Sequence, residues 1–96
     1  MSVVEVSTFR LSAGTDVPSF LALDKRVQNE LVPNQPGFMR RTTAHRDDDW
    51  LVVTLWGSEE AAVAFAEASA GDPVRTAFEG SLAPGSLATK RYTTLD

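Results

Sequence analysis

The chain has 96 residues, 43% of them hydrophobic and 23% charged, which is typical of one folded domain spanning residues 1–96. Thirteen acidic side chains against nine lysines and arginines give a net charge of −4, so we expect neither nucleic acid nor an anionic membrane as a partner. The lack of cysteine excludes disulfides and thiolate nucleophiles, and the polar start Met-Ser-Val-Val-Glu-Val predicts a cytoplasmic protein without signal peptide or spanning helix.

The first strand is predicted from Val3 to Leu11, a segment rich in valine, threonine and phenylalanine that ends at a turn-forming Ser-Ala-Gly-Thr sequence. A helix is predicted to follow as far as Leu31, with Thr15 or Asp16 as its N-cap and Pro18 in its first turn. Apolar residues recur three, four or seven positions apart along it, so we expect one packing face and one solvated face.

Two prolines and a glycine between positions 33 and 37 end this helix. The second strand is predicted from Phe38 to His45, with Phe38 and Arg40 on one side and Arg41 on the other. This mostly polar alternation is typical of a sheet edge. The following Arg-Asp-Asp-Asp sequence predicts a short hairpin loop, and its consecutive aspartates lack the spacing and the glycine of a calcium loop, so no metal site is predicted.

The third predicted strand, Trp50 to Trp56, is apolar on both faces. Side chains alternate along a strand, which places its odd and even positions on opposite sides. One side carries Leu51, Val53 and Leu55, and the other carries Trp50, Val52 and Trp56. A strand of this kind needs apolar cover on both faces.

Ser58 is predicted to cap a second helix that ends at Ala70-Gly71, and Asp72-Pro73 has the cap-then-proline order that begins a third. A last strand is predicted from Leu87 to Thr94. The order of elements is therefore that of a ferredoxin-like βαββαβ fold of the α+β class, with a four-stranded antiparallel sheet and helices on one face.

Helices on one face leave the other face of the sheet uncovered, although the central strand is apolar there too. Each such side chain contributes about 1.5–3 kcal/mol when it is buried. A second copy of the chain is the simplest cover, so we predict a homodimer whose two sheets meet face to face.

Two motifs in this framework resemble a known family. Gln35-Pro36-Gly37-Phe38 precedes the second strand, and Trp56-Gly57-Ser58-Glu59-Glu60-Ala61 joins the central strand to the second helix. Together they are similar to motifs of the antibiotic biosynthesis monooxygenase family, whose members are dimeric α+β barrels. The resemblance implies a pocket between helices and sheet, lined by Trp56 and by the residues on its side of the strand, Val52 and Thr54.

The quinone-forming members of that family oxidise aromatic polyketides with O2 and without metal or flavin, so the resemblance implies no cofactor. Those members carry an asparagine four residues before the tryptophan and a tyrosine six after it, where this chain has Val52 and Ala62. Haem-degrading relatives need a histidine on the second helical region and an asparagine on the first strand. The single histidine here is His45, on the second strand, so haem degradation is not expected.

His45 and Arg41 are the candidate catalytic residues. The unperturbed pKa of a histidine lies near neutrality, which suits general acid or base catalysis, although a lone histidine near a strand end also suits the surface. Arg41 has the same parity as His45 and suits either an anionic substrate group or an acidic partner within the protein.

The candidate substrate-binding residues are mostly aromatic. Trp56 is suited to stacking on a flat ligand or to filling the core, and Tyr92 to bonding into the pocket or to lying at the strand end. The packing faces of the first two helices add one phenylalanine each. The full predicted binding set is Trp56, Val52, Thr54, Tyr92, Phe20 and Phe65.

Two functions follow from these residues. The first is a cofactor-independent monooxygenase-like activity on a small aromatic or quinol-type molecule. The second, favoured by Val52 and Ala62, is a non-catalytic small-ligand-binding or stress-related module on the same dimeric scaffold. A third hypothesis is a different reaction on the same scaffold, such as an isomerisation or cyclisation that uses His45.

Overall fold

The computed structural model describes all residues from 1 to 96. The elements are β1 (Val3–Phe9), α1 (Val17–Arg26), β2 (Phe38–Arg46), β3 (Asp49–Trp56), α2 (Glu59–Ala68), α3 (Pro73–Gly80) and β4 (Ala88–Thr93). The four strands form one antiparallel sheet in the order β2-β3-β1-β4. The predicted ferredoxin-like βαββαβ fold is confirmed. No helix in this structure is long and apolar enough to cross a membrane.

The helices begin where the sequence predicts. Asp16, Ser58 and Asp72 each accept a hydrogen bond from a backbone N–H of the first turn of α1, α2 and α3 respectively. These bonds satisfy backbone donors that have no partner inside a helix.

The ends of the first strand and of the first helix differ from the prediction by more than one residue. The first strand ends at Phe9 rather than Leu11, because the chain there leaves the sheet and pairs instead with the segment after α3, where Leu11 bridges Leu82. The first α-helix ends at Arg26 and continues to Leu31 as a π-helical turn, closed by a bond from the Val32 N–H to the Val27 carbonyl. Turns of this wider kind are frequent at functional sites.

The central strand has the predicted two faces. Its even-numbered residues are buried beneath the helices, and they are Trp50, Val52, Thr54 and Trp56. Its odd-numbered residues Leu51, Val53 and Leu55 are half-buried on the other side, here called the open face. The neighbouring strands add Val4, Val6 and Tyr92 to the open face.

The second strand departs from strict alternation at its start. A β-bulge between Phe38 and Arg40 changes the register, so that Phe38 pairs with Trp56 while Arg40 pairs with Leu55. Phe38 therefore lies on the helix side, opposite to Arg40, and its ring is 5.7 Å from that of Trp56. The sequence had placed Phe38 and Arg40 on the same side because a bulge leaves no mark in simple alternation.

Most of the buried core lies in two separate hydrophobic clusters. The Trp50 cluster contains Phe9, Phe20, Trp50, Val52 and Leu82. The Trp56 cluster contains Val3, Trp56 and Ala62, with Phe38, Ala61 and Phe65 packed against them. Because the two tryptophans end the same strand, the clusters occupy opposite ends of the layer between sheet and helices.

The loop before β2 is pressed against α2 at the Trp56 end. Gly37 has a φ of +80°, and a Cβ atom at this position would lie 2.5 Å from the Cβ of Ala61. The Gly57 N–H also donates a 2.7 Å hydrogen bond to the Gly37 carbonyl. This close approach couples the two sequence motifs, and only glycine fits position 37 without displacement.

We expect Gly37→Ala to destabilise the protein more than Gly85→Ala. Both glycines have a positive φ, +80° and +76°, but only Gly37 has a neighbour that an added methyl group would strike. The positive φ should cost about 1–2 kcal/mol in either variant, and overpacking against Ala61 should add about 1–3 kcal/mol to Gly37→Ala alone. Urea unfolding followed by circular dichroism measures the difference. Equal losses of unfolding free energy in the two variants would show that the structure accommodates a methyl group between Gly37 and Ala61 at no cost.

Candidate functional site

A cavity of about 320 Å³ lies between the sheet and the helices, in the space between the two hydrophobic clusters. Its roof comes from the helices and the π-helical turn and is mostly apolar: Val27, Leu31, Ala62, Phe65, Ala66 and Phe78, with Arg75 and Glu79 of α3 as its charged members. Its floor comes from the helix-facing side of the sheet and includes Glu5, Ser7, Arg41, Val52, Thr54 and Trp56. Thr89 and Arg91 of the exposed edge strand β4 form the outer wall.

One row of the floor is polar across the whole sheet. The strand register aligns Arg41 with Thr54, Thr54 with Glu5, and Glu5 with Arg91, which makes one row across all four strands. In the adjacent row, Ser7 pairs with Thr89, and their hydroxyl groups are 2.8 Å apart. Polar groups are costly in a plain hydrophobic core, so this stripe beneath a mostly apolar roof distinguishes the cavity from an ordinary core.

Arg41 lies in the cavity wall but is bound within the protein. Its Nη2 donates to Asp24 at 2.8 Å and its Nη1 to Gln28 at 3.4 Å. Its side chain is only 5% exposed, and the Asp24 carboxylate also accepts from the Thr43 hydroxyl. Of the two roles considered for Arg41, the structure thus shows pairing with an acid, which ties α1 to the edge strand β2.

Arg41→Gln should lower the free energy of unfolding by about 2–4 kcal/mol, because it leaves a largely buried carboxylate at Asp24 without its charge partner. Arg40→Gln is the matched control, since Arg40 is exposed and lies on the opposite face of the same strand. The expected loss for this control is below about 0.5 kcal/mol. Chemical denaturation measures the free energy of unfolding of both variants. Similar losses would show that the Arg41–Asp24 pair does not contribute specially to stability.

Trp56 presents an unusual polar atom. The residue is 1% exposed, and its ring packs 5.2 Å from Phe65 and 5.7 Å from Phe38. Its Nε1 is buried and has no hydrogen-bond acceptor in the protein. Leaving a buried donor unpaired costs about 1–3 kcal/mol, so such an atom in a residue that lines the cavity needs an explanation. An oxygen atom of a ligand that displaces the side-chain atoms covering Nε1 would supply the missing acceptor.

His45 lies outside this cavity, which corrects its assignment beside Trp56. Its exposed imidazole stacks on Trp50 with ring centroids 4.4 Å apart, and its Nδ1 is 3.3 Å from the Asp47 carbonyl. In the sheet it pairs with Trp50, six residues from Trp56. At about 3.3 Å per residue, His45 and Trp56 are at strand positions about 20 Å apart.

Two predicted binding residues are also placed elsewhere. Phe20 is fully buried in the Trp50 cluster, where its ring is 5.2 Å from Trp50, and it does not line the cavity. Tyr92 is 53% exposed on the open face, because its register partner is Val4 rather than a helix-facing residue. The structure brings Trp56, Val52, Thr54 and Phe65 together with Arg41 around the cavity.

Sequence reasoning missed the polar residues of β1 and β4. Glu5 and Ser7 have the same parity as Val3 and Phe9, which are both buried beneath the helices. Polar residues between buried apolar ones on the same strand face are the signal that would have predicted a polar floor.

No protein-family model matches the chain, and no curated protein matches it by sequence. Solved structures do match it. A cofactor-independent oxygenase, SnoaB of Streptomyces nogalater, is 18% identical with a TM-score of 0.81, over 99% of this chain and 94% of that one. The monooxygenase ActVA-Orf6 of Streptomyces coelicolor, solved with nanaomycin D, is 19% identical with a TM-score of 0.72, over 99% and 88%.

A conserved protein of Methanosarcina mazei is 11% identical with a TM-score of 0.80, over 98% of this chain and 93% of that one. At these identities the matches establish a shared fold. The resemblance to antibiotic biosynthesis monooxygenases that the sequence predicted is confirmed at that level.

Proposed function

We propose that the cavity binds a small aromatic molecule of the phenol or quinol type and that the protein oxidises it with O2, without metal or flavin. The observation that carries the proposal is the buried, unpartnered indole N–H of Trp56, a residue that lines an aromatic-walled cavity. Further support comes from the shared fold with SnoaB, a cofactor-independent oxygenase, and with ActVA-Orf6, a monooxygenase that binds nanaomycin D.

The size of the cavity limits the ligand. Its volume of about 320 Å³ is at the small end of ligand pockets, which range from about 300 to 1,000 Å³. A molecule of about two or three fused rings fits this range. The flat rings of Phe65 and Trp56 form its inner end, so a planar ligand has aromatic surfaces to contact there.

The proposed chemistry needs a stabilised anion. Loss of a proton from an anthrone or quinol gives an electron-rich enolate or phenolate, which reacts with O2 directly. A donor already fixed in a dry site stabilises the negative oxygen far better than the same donor in water, and the Trp56 N–H is such a donor. For an anthrone, the ring CH2 becomes C=O with one oxygen atom, and the other oxygen leaves as water with the two hydrogens.

Oxygen uptake with anthrone tests this proposal. Wild-type protein should consume one O2 per anthrone and form anthraquinone, and Trp56→Phe should lower kcat by about 10²-fold because it removes the donor but keeps the ring stack. Trp50→Phe is the matched control, since it removes the indole N–H at the other end of the same strand. No uptake above the uncatalysed rate, or equal losses in both variants, would contradict the oxygenase.

The alternative is a binding module that has no turnover. Val52 and Ala62 favour it, because the quinone-forming enzymes that the sequence resembles carry asparagine and tyrosine at these positions. The absence of a histidine from the cavity lining favours it too. Calorimetric binding of 2-naphthol without any O2 uptake from anthrone or quinols would select the module over the enzyme.

We also propose that the protein is a homodimer that pairs through its open face. Six apolar side chains lie together there: Val4, Val6, Leu51, Val53, Leu55 and Tyr92. Each contributes about 1.5–3 kcal/mol when fully buried. A face-to-face pair buries the same patch twice, as a two-fold symmetric interface does.

Val53→Asp should therefore convert a dimer into a monomer. Val53 lies between Val6 and Thr42 at the centre of the open face, and an aspartate there would place two unpaired charges in the interface. Val63→Asp is the control, because Val63 is exposed on α2 on the opposite side of the sheet. Sedimentation equilibrium should give twice the 10.4 kDa chain mass for wild type and Val63→Asp, and a single chain mass for Val53→Asp. A monomeric wild type at micromolar concentration would contradict the dimer.

A further inference from the structure

Arg91 holds a guanidinium group at the outer end of the cavity, opposite the dry end at Trp56. Arg91 lies on the edge strand β4 and faces the helix side, where its register partner is Glu5. Its side chain is 31% exposed and that of Glu5 is 18% exposed, whereas Trp56 is 1% exposed. The cavity therefore runs from a closed aromatic end to an open charged end.

Most of the donor capacity of Arg91 is uncommitted. Its Nε donates a 2.8 Å hydrogen bond to Glu5 Oε2, and its two terminal amino groups bond no other residue. The pair with Glu5 fixes the orientation of the guanidinium plane. The edge formed by Nη1 and Nη2 has the geometry that binds a carboxylate through two parallel hydrogen bonds.

The other two arginines of the cavity are more fully engaged. Arg41 bonds Asp24 and Gln28 through both of its terminal nitrogens. Arg75 bonds Glu79 through Nε, and its Nη1 donates to the Ala66 carbonyl and to the Ser69 hydroxyl. Arg91 is thus the arginine of this site with a free bidentate edge, in a protein whose net charge of −4 would otherwise disfavour an anion.

We propose that the ligand is a hydroxylated aromatic carboxylic acid, with its hydroxyl group at Trp56 and its carboxylate at Arg91. The proposal rests on the aromatic-binding function above and names the ligand class. Trp56 and Arg91 are two strands and two residues apart in the sheet register. Strand spacings of about 4.8 Å and rises of about 3.3 Å per residue put their Cα atoms about 12 Å apart. With both side chains reaching into the cavity, this span suits oxygen groups at opposite ends of a two-ring system.

Calorimetry with two isosteric probes tests the assignment. The first is 6-hydroxy-2-naphthoic acid, whose carboxylate is ionised at pH 7, and the second is its neutral amide, 6-hydroxy-2-naphthamide. Wild-type protein should bind the acid at least about tenfold more tightly than the amide, because a charge-assisted bidentate pair is stronger than a neutral hydrogen bond. Arg91→Gln should remove this preference and leave amide binding within about twofold.

The control Lys90→Gln removes one positive charge from the same strand, but Lys90 pairs with Val6 on the open face and does not line the cavity. This variant should keep the acid preference. Because Arg91→Gln leaves Glu5 without its partner, the double variant Glu5→Gln/Arg91→Gln is measured beside it and should also lack the preference.

Each outcome separates this proposal from the oxygenase. Equal affinities of wild type for acid and amide, or equal losses for both probes in Arg91→Gln, would overturn the carboxylate assignment even if anthrone is oxidised. A clear acid preference without O2 uptake would support the assignment and contradict the oxygenase. Failure to bind either probe would overturn this assignment together with the aromatic-binding proposal.

Discussion

The helix-facing side of β3 sets the constraint on which the structure depends. Trp50 and Trp56 stand on the same face of this strand at its two ends, and each needs a layer of apolar side chains around it. Three short helices supply two such layers, centred on Phe20 at one end and on Phe65 at the other. The middle of the layer is left to the cavity, whose floor is the polar row that includes Thr54 and Glu5. The cavity thus arises because the apolar side chains of the helices pack around the two tryptophans and leave the space between them unfilled.

The motifs that resemble antibiotic biosynthesis monooxygenases have a physical role in this arrangement. Gly37 approaches Ala61 too closely for any side chain, and its carbonyl accepts from Gly57, so the loop before β2 is fixed against the start of α2. This contact holds Phe38 and Trp56 together at the closed end of the cavity. The same residues would be needed for a catalyst and for a binding module, which is why the motifs report the fold more directly than the reaction.

The sequence predicted the features that depend on local pattern. The alternation of β3, the caps at Ser58 and Asp72, and the order of elements all follow from rules that act within a few residues. The features it missed depend on tertiary position. His45 shares its parity with the cavity residues but lies one strand length away, and a bulge moves Phe38 to the other side of β2. Arg41 pairs with Asp24 and Arg91 pairs with Glu5. Both partners are distant in sequence, so no spacing rule predicts these pairs.

The central claim is that the indole N–H of Trp56 donates to an oxygen atom of an aromatic ligand. The chain has two tryptophans, so a ¹H–¹⁵N NMR spectrum contains two indole signals, and Trp50→Phe identifies each of them. On titration with 2-naphthol, the account predicts that the Trp56 indole proton shifts downfield in a saturable manner while the Trp50 signal stays in place. A Trp56 signal that does not move, or one that moves no more than that of Trp50, would contradict it.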